Sequence, residues 1–356
     1  MSLDDLRKKI DETDAEIIRL LAERIRNAEA IGREKQKQGE HVENLSREEE
    51  VLANVRRLAD QAGISVEGTE SIFRRIVNVS KSAEGLTVAF QGELGAYSEE
   101  AAVDYFGPAI EVKPCESLDA VFDSVEREAA HFGVVPIENS LEGSISRVYD
   151  LLLESSVKVR GEIELRVTHC LIANPGARLD LMTKIYSHPQ ALGQCRAFLK
   201  HLDCELVPTY DTAGSVKMIK EQGITDGAAI AGVRAAEIYG MTILAHEIED
   251  NPNNFTRFFV LAKHDSPPTG HDKTSIVFAV SHKPGSLYSL LRELAASQVN
   301  LTKIESRPTR QRPWEYNFYL DFDGHRDDTA SREALGKLEQ TSLFVKVLGS
   351  YPKASE

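Results

Sequence analysis

The first part of the chain carries apolar residues at helical spacing. This stripe runs through a segment that has no Pro or Gly before Gly32. Its members are Leu3, Leu6, Ile10, Ile17, Leu21, Ala28 and Ile31. The spacing predicts a single helix of about 50 Å, because each helical residue rises 1.5 Å.

Two shorter helices are predicted to follow the long one. The run Ser46-Arg47-Glu48-Glu49 has the form of a capping box, so a helix should extend from Ser46 to Ala62, with Gly63 as its C′ residue. A third helix is predicted over about Thr69 to Ala83. Three helices of such unequal length cannot enclose a core alone. We therefore expect an all-α domain over residues 1–84 in which two chains form an intertwined dimer.

From Leu86 the pattern changes to short apolar strands that alternate with helices and end in polar turns. Strand ends of this kind give Glu138-Asn139-Ser140 and Ser187-His188-Pro189-Gln190, and Asp211 begins a further helix. Ligands of α/β folds lie at the carboxyl ends of strands, so we expect a cleft there. The pattern predicts a two-lobed α/β domain over residues 86–263.

The stretch Asn251–Val260 begins polar and becomes an apolar, aromatic strand. Its first side chains, Thr256 and Arg257, should lie at a rim between solvent and core. A hydroxyl there can donate a proton, and a guanidinium can bind a carboxylate. The alternative is a strand start whose Thr and Arg only satisfy backbone and surface groups.

The last part of the chain follows a Pro- and Gly-containing linker at residues 264–272. Beyond it, the apolar periods predict strands and helices in the order βαββαβ. This is the ferredoxin-like arrangement. We therefore expect a small α+β domain over residues 273–356.

Composition narrows the range of partners. The chain has 356 residues, 42% of them hydrophobic, and a net charge of −14. This charge argues against general nucleic-acid binding. The acidic first residues have no apolar signal core, and no apolar run is long enough to span a bilayer, so we expect a cytoplasmic protein without membrane contact.

Cysteine and histidine do not form metal-binding patterns. Cys115, Cys170, Cys195 and Cys204 have no CxxC pairing, which favours reduced, buried thiols. The ten histidines form no HExxH or similar pattern. We therefore expect no metal.

The cations of the first segment follow a recognisable order. Leu6-Arg7-Lys8-Lys9-Ile10-Asp11, Leu21-Ala22-Glu23-Arg24 and Ile31-Gly32-Arg33-Glu34-Lys35 resemble the helical chorismate mutase family. Chorismate rearranges within itself, so such an enzyme needs only to hold a compact conformer and to stabilise the breaking ether oxygen. The alternative for each of these cations is ordinary solvated surface charge.

The resemblance implies a role for each polar residue of this segment. Arg24 and Arg7, the latter from the partner chain, would each bind a carboxylate, and Lys35 would donate to the ether oxygen. Glu48 would bind a substrate hydroxyl. The remaining members of the predicted substrate shell are Arg47, Asn44 and Ser80.

Two positions of the helical segment depart from the common pattern of the chorismate mutase family. Asn44 and Glu84 stand where many members have Asp and Gln. Glu84 can donate to the ether oxygen only when it is protonated. We therefore predict that mutase activity falls as pH rises, and that Glu84→Gln flattens the profile.

Four runs of the middle segment resemble the prephenate dehydratase family. They are Gly-Ala-Tyr-Ser at 95–98, Pro-Ile-Glu-Asn-Ser at 136–140, Ser-His-Pro-Gln at 187–190 and Asn-Phe-Thr-Arg-Phe at 254–258. The resemblance implies a periplasmic-binding-protein-like fold in which Thr256 protonates the leaving ring hydroxyl of prephenate. Arg257 or helix-start amides would hold the side-chain carboxylate. The other implied site residues are Glu138, Asn139, Ser140, Ser187, Gln194 and Phe258; a purely structural role is the alternative for each shell residue.

The last domain resembles the ACT regulatory domain of dehydratases, in which L-phenylalanine binds between paired domains. The motifs that carry the resemblance are Pro284-Gly285-Ser286-Leu287 and Glu305-Ser306-Arg307-Pro308. The implied effector residues are Gly285, Ser286, Leu287, Glu305, Ser306, Arg307 and Pro308.

Together the resemblances imply a bifunctional chorismate mutase–prephenate dehydratase that L-phenylalanine regulates. The expected assembly is a homodimer or homotetramer, and no cofactor is expected. The rival interpretation is a binding module that senses an amino acid or a small anion. A second rival is an enzyme with one inactive site, for which Asn44 and Glu84 point to the mutase site.

Overall fold

The computed structural model describes residues 2–38, 45–82, 85–108, 110–309 and 314–354. Of Lys35, Arg47 and Glu48 it describes the backbone only, and Asn44 and Glu84 lie outside the described residues. The chain forms two compact units. One is Met1–Val88 with Ala102–Val112, and the other is Ala89–Ala101 with Lys113–Glu356.

Three helices form most of the first unit. They are α1 (Leu3–Gln38), α2 (Leu45–Ala62) and α3 (Val66–Ser82). The predicted long helix is confirmed, but two helix starts were placed wrongly. Since α2 begins at Leu45, Ser46 lies inside the helix and is not its N-cap. Helix α3 begins earlier than Thr69, because the Ser65 hydroxyl accepts the Gly68 amide at 3.1 Å and caps it.

The two halves of α1 differ in burial. Every residue from Ser2 to Leu20 is exposed, including Leu3, Ile10 and Ile18 at 63%, 60% and 66%. Burial begins farther along, where Ala28 is buried and α1 packs against α3. Within the described residues, no helix is long and apolar enough to cross a membrane.

The segment from Thr87 to Ala262 builds two sheets. Its elements are β1 (Thr87–Gln91), α4 (Tyr97–Phe106), β2 (Glu111–Cys115), α5 (Leu118–Glu126), β3 (Phe132–Asn139), β4 (Gly143–Ser144), α6 (Ser146–Glu154), β5 (Lys158–Arg166), β6 (Cys170–Ala173), a 3₁₀ turn (Leu179–Leu181), β7 (Lys184–Ser187), α7 (Pro189–Gln194), α8 (Arg196–Leu199), β8 (Glu205–Pro208), α9 (Thr212–Gln222), β9 (Gly227–Ala231), α10 (Val233–Tyr239), β10 (Thr242–Ala245) and β11 (Phe255–Ala262). The first sheet has the order β2-β1-β3-β11-β5, with β4 beside β3, and the second has the order β10-β6-β9-β7-β8.

The chain therefore leaves the first sheet after β5, builds the second sheet, and returns to the first as β11. This path gives the two lobes that the alternation of strands and helices predicts. Strand β5 was not predicted, because its alternation includes charged residues on the buried side. The four cysteines are free thiols, as predicted, and Cys115, Cys170 and Cys195 are buried.

The last domain confirms the predicted order. Its elements are β12 (Asp272–Ala279), α11 (Ser286–Ala296), β13 (Leu301–Pro308), β14 (Tyr316–Asp323), α12 (Thr329–Thr341) and β15 (Phe344–Pro352). The sheet order is β13-β14-β12-β15, and all three neighbouring pairs are antiparallel. Apolar residues of α11 and α12, such as Leu290 and Leu338, pack on one face of this sheet. Its other face meets β5 and α6.

Candidate active site

A cavity of about 220 Å³ lies where the starts of α4, α7 and α9 meet the end of β3 and the start of β11. Both sheets contribute to it. The lining residues are Gln91, Ala96, Tyr97, Ser98, Pro136, Asn139, Ile145, Val167, His169, His188, Gln190, Ala191, Gln194, Tyr210, Asp211, Thr212, Thr256 and Phe258. Four of the predicted dehydratase residues are among them: Asn139, Gln194, Thr256 and Phe258.

The alternation of β11 decides which side chains reach this cavity. Successive side chains of a strand point to opposite faces, so Thr256 and Phe258 face the cavity while Arg257 faces away. The pairing with β3 places Thr256 opposite Asn139 and Arg257 opposite Glu138. The pairs Glu138-Asn139 and Thr256-Arg257 therefore each contribute one residue to the cavity and one to the opposite face of the sheet.

The hydrogen bonds of Asn139 fix the orientation of its amide. Its Oδ1 accepts the backbone N–H groups of Leu141 and Glu142, both at 3.0 Å, so its Nδ2 must point the other way. That Nδ2 donates to Thr256 Oγ1 at 3.0 Å. Because Thr256 is the acceptor in this bond, its own hydroxyl hydrogen remains available. Within the described part of the chain, no acceptor takes that hydrogen.

The same reasoning fixes two further amides. Asn139 Nδ2 also donates to Asn254 Oδ1 at 2.8 Å, so Asn254 Nδ2 donates to Gln194 Oε1 at 3.0 Å. Gln194 Nε2 is therefore turned away from Asn254. It is buried and has no partner among the described residues. A buried N–H without an acceptor is costly, so this amide is a donor that the described residues leave unsatisfied beside the cavity.

His169 forms the opposite wall together with Tyr97. Its Nε2 lies 3.0 Å from Gln194 Oε1, so Nε2 carries the hydrogen, and its Nδ1 lies 2.9 Å from the Tyr97 hydroxyl, which donates to the Thr168 carbonyl at 2.7 Å. Burial lowers the pKa of His169 and raises that of Tyr97, which keeps both rings neutral. The cavity wall is thus dipolar and uncharged on this side.

Asp211 is the carboxyl group among the lining residues. It is the N-cap of α9, and its Oδ1 accepts the Gly214 amide at 2.7 Å. Burial raises the pKa of Asp211 above its usual value. No Lys or Arg is among the lining residues, so an anionic ligand would rely on helix starts and side-chain amides there.

Four predicted dehydratase residues do not line the cavity. Ser187 is fully buried and donates to the Ile230 carbonyl at 2.7 Å. Ser140 Oγ donates to the Asn253 carbonyl at 3.1 Å and accepts the Phe255 amide at 2.9 Å, which joins two turns. Glu138 and Arg257 lie on the far face because of strand alternation. The prediction that these four contact substrate directly is therefore not supported by their positions.

Several lining residues were missed as site residues. Tyr97 and Ser98 belong to the Gly-Ala-Tyr-Ser run, where the turn was the available signal. His188 was left out because it precedes Pro189, and it does cap α7 by accepting the Gln190 amide at 3.3 Å. His169 is buried, and nothing in the local pattern marks it; Asn254, which supports the site from outside the lining, opens the Asn-Phe-Thr-Arg-Phe run but was not predicted as a site residue.

In the helical unit, two of the predicted mutase residues come together. Arg24 Nη1 donates to the Ser80 hydroxyl and, at 3.2 Å, to the Ile76 carbonyl. Arg7 lies elsewhere, exposed and 3.6 Å from Asp4. On one straight helix Arg7 and Arg24 are about 25 Å apart, too far to bind one small substrate. The side chains of Lys35, Arg47 and Glu48 and the positions of Asn44 and Glu84 are outside the described set.

The last domain holds a second cavity, of about 420 Å³. Its lining includes Ser286 and Leu287 of the predicted effector set, together with Tyr316 and Phe318 of β14. Gly285 precedes α11 with φ 84°, a conformation that favours glycine.

The other four predicted effector residues lie on β13, an edge strand, and are not among the lining residues. Glu305, Ser306 and Pro308 are partly or fully exposed. Arg307 is buried, with its guanidinium 3.3 Å from Asp150 and bonded to Ser146. Arg307 therefore faces α6 within one chain, and its predicted part in an effector site between paired domains stays a prediction.

Comparisons with known proteins agree with this architecture. Residues 6–85 match the family model for chorismate mutase type II, residues 88–266 that for prephenate dehydratase, and residues 274–340 that for the ACT domain. The chain is 40% identical over 359 residues to a bifunctional chorismate mutase/prephenate dehydratase of Aquifex aeolicus (strain VF5), covering 99% of this chain and 98% of that protein.

Two solved structures are similar to the chain. A prephenate dehydratase from Arthrobacter aurescens, in complex with L-Phe, has a TM-score of 0.70 and 33% identity, covering 76% of this chain and 90% of that one. GqqA, described as a novel type of quorum quenching acylase, has a TM-score of 0.70 and 34% identity, covering 76% and 98%. The full-length match decides the family: the chain belongs to the bifunctional chorismate mutase/prephenate dehydratases.

Proposed function

We propose that the chain rearranges chorismate to prephenate in its helical domain and converts prephenate to phenylpyruvate in the cavity beside Thr256. One observation carries the second activity. Asn139 Nδ2 donates to Thr256 Oγ1, so the threonine hydroxyl presents its hydrogen to whatever occupies the cavity. A threonine hydroxyl that is fixed as a donor beside a neutral wall can serve as a general acid.

The dehydration step balances with one proton. Thr256 donates its proton to the ring hydroxyl, the ring C–O bond breaks, and water leaves. The electron pair of the ring carbon–carboxylate bond enters the ring, and carbon dioxide leaves as the ring becomes aromatic. Thr256 then regains a proton from solvent, so each turnover consumes one proton. Aromatisation makes a weak acid sufficient, because the leaving carboxylate supplies the electrons.

The groups around Thr256 suit a substrate with two carboxylates. The unpartnered Gln194 Nε2 offers a donor, and the starts of α4 and α9 bring the positive ends of two helix dipoles to the cavity. These helix starts would bind the side-chain carboxylate, for which Arg257 was the other candidate. Asp211 caps α9 at the same edge of the cavity, and its Oδ1 is occupied by the Gly214 amide.

The mutase site needs two chains. The exposed apolar stripe on Ser2–Leu20 has the surface of a helix that packs against a second copy. Such packing would bring the partner's Arg7 near Arg24 and Ser80 and give one arginine for each carboxylate of chorismate. Binding by Lys35, Arg47, Asn44, Glu48 and Glu84 remains part of this proposal.

L-phenylalanine is the proposed effector, and the 420 Å³ cavity beside Ser286 and Leu287 is its proposed site. The edge strand β13 leaves its backbone and the side chain of Ile304, 47% exposed, free to meet a second copy. Pairing of two such domains would bring Glu305, Ser306 and Pro308 toward the effector. An even oligomer follows from both interfaces.

A paired assay tests both activities at once. Wild type and Thr256→Ala receive chorismate, and the loss of chorismate, the accumulation of prephenate and the formation of phenylpyruvate are followed in the same tube. The variant should consume chorismate normally and accumulate prephenate. If wild type forms no phenylpyruvate even from supplied prephenate, the cavity is a binding site and the dehydratase proposal fails.

A further inference from the structure

The face of β3 and β11 opposite the cavity carries a second polar cluster. Arg257 and Glu138 lie opposite each other on this face, each one residue from a cavity residue. Both are paired with side chains of the last domain. Neither pair takes part in the chemistry proposed above, so their function needs a separate explanation.

Arg257 is held by three groups. Its Nε donates to Glu162 at 2.7 Å, Nη1 to Asp321 at 2.8 Å and Nη2 to the Tyr351 hydroxyl at 3.1 Å. The side chains are nearly dry: Arg257 is 11% exposed, Glu162 1% and Asp321 9%. A guanidinium with three fixed partners has one orientation, so it fixes the position of its own backbone.

Glu138 makes a simpler contact. It accepts from Lys303 Nζ of β13 at 2.5 Å, and Lys303 also lies 5.4 Å from the centre of the Tyr149 ring. The Glu138 and Lys303 side chains are 36% and 14% exposed. If one partner of this pair is replaced, water can reach the partner that remains. The fold should therefore tolerate the replacement of Glu138 or Lys303 better than the replacement of Arg257.

The two pairs connect the last domain to the catalytic contact. Asp321 lies on β14, the strand whose Tyr316 and Phe318 line the second cavity, and Lys303 lies on the neighbouring β13. We propose that Arg257 and Glu138 are positioning residues, which hold β11 and β3 on the last domain and so keep Asn139 in contact with Thr256. This inference rests on the proposed dehydratase function.

A double-mutant cycle on Glu138 and Lys303 tests the inference. Glu138→Gln and Lys303→Met should each lower kcat for prephenate about 10- to 100-fold, because a displacement of about 1 Å at a reacting group has that effect. KM should change little, since the cavity donors remain. The double variant should be no slower than either single variant, and the charge-swapped pair Glu138→Lys/Lys303→Glu should recover activity.

Lys263→Met is the matched control, since Lys263 forms a comparable ion pair with Glu128 at 3.0 Å on the surface. It should leave kcat unchanged. Effects of Glu138→Gln and Lys303→Met that multiply in the double variant, or Lys303→Met with wild-type kcat, would overturn the inference. A purely structural pair would lower the Tm of Lys303→Met without the shared loss of kcat.

Hydrogen exchange gives a readout that does not depend on turnover. Amides in the peptide around Asn254–Phe258 should exchange faster in Lys303→Met than in wild type or in Lys263→Met. Equal exchange in the three proteins would refute the positioning role. If wild type lacks dehydratase activity, the proposed function fails, while this measurement still decides whether the contact of the last domain with β3 stabilises the neighbouring strand β11.

Discussion

Replacing Thr256 by Val removes the proposed acid while keeping the shape of the side chain. Thr256 is 8% exposed, and its hydroxyl accepts one bond, from Asn139 Nδ2. That amide keeps the Asn254 Oδ1 acceptor at 2.8 Å and the Phe255 carbonyl at 3.2 Å. No buried donor is orphaned, so the free energy of unfolding should fall by no more than about 1 kcal/mol.

The effect on chemistry should be much larger. General acid catalysis contributes about 10²- to 10⁴-fold, so Thr256→Val should raise the activation free energy by about 3 to 5 kcal/mol. KM should move little, because the helix starts and Gln194 still bind the substrate. Thr256→Ser, which keeps a hydroxyl beside Asn139, is the matched control and should lose less than Val.

The assay is phenylpyruvate formation from supplied prephenate near neutral pH, with urea unfolding of each variant in parallel. The reasoning is refuted if Thr256→Val keeps more than about a tenth of the wild-type kcat. It is equally refuted if Ser and Val variants lose the same large factor, because the hydroxyl would then not be the active group.

Three further predictions follow from the other sites. Asn254→Leu should lower dehydratase kcat/KM about tenfold or more, because it releases the amide of Gln194; steady-state kinetics with unchanged values would contradict the amide chain. His169 has a lowered pKa in the folded chain. Below the usual histidine pKa of about 6.5, the unfolded chain therefore binds a proton at this residue that the folded chain does not bind. Stability should consequently be lost as pH falls from about 7 to 5. Urea unfolding should show a smaller loss in His169→Gln, and an equal loss would count against burial of a neutral ring. Mixing inactive Arg7→Ala and Arg24→Ala chains should restore about a quarter of wild-type mutase activity, because half of the dimers are then mixed and each holds one intact site; no recovery would exclude a shared site.

Sequence motifs located the cavity but could not divide its residues between faces. Glu138-Asn139 and Thr256-Arg257 each look like a unit of chemistry in the sequence. Alternation along a strand was foreseeable, yet which face would meet substrate depended on where the last domain packs. Arg257 is a typical carboxylate ligand by residue type, and its actual partners lie 95 and 64 positions away in the chain.

Strand β5 shows the same limit. Its sequence places Arg160, Glu162 and Glu164 among apolar residues, which is typical of an exposed strand. The Glu162 side chain is nevertheless 1% exposed, because Lys273 and Arg257 both bind it. Burial of a charge depends on partners that only the tertiary structure supplies, so neither the strand nor its interface could be predicted locally.

The buried ion cluster around Arg257 is better suited to positioning β11 than to stabilising the fold. A buried ion cluster is seldom the most stable filling for a space, since an apolar set of the same volume often does as well or better. Apolar contacts, however, are not directional, so the two surfaces can shift slightly against each other. A guanidinium that is bound by Glu162, Asp321 and Tyr351 permits only one relative position of these groups. The contact that this arrangement protects, between Asn139 and Thr256, is a single hydrogen bond of 3.0 Å. A site that depends on the direction of one hydroxyl needs directional support more than it needs added stability.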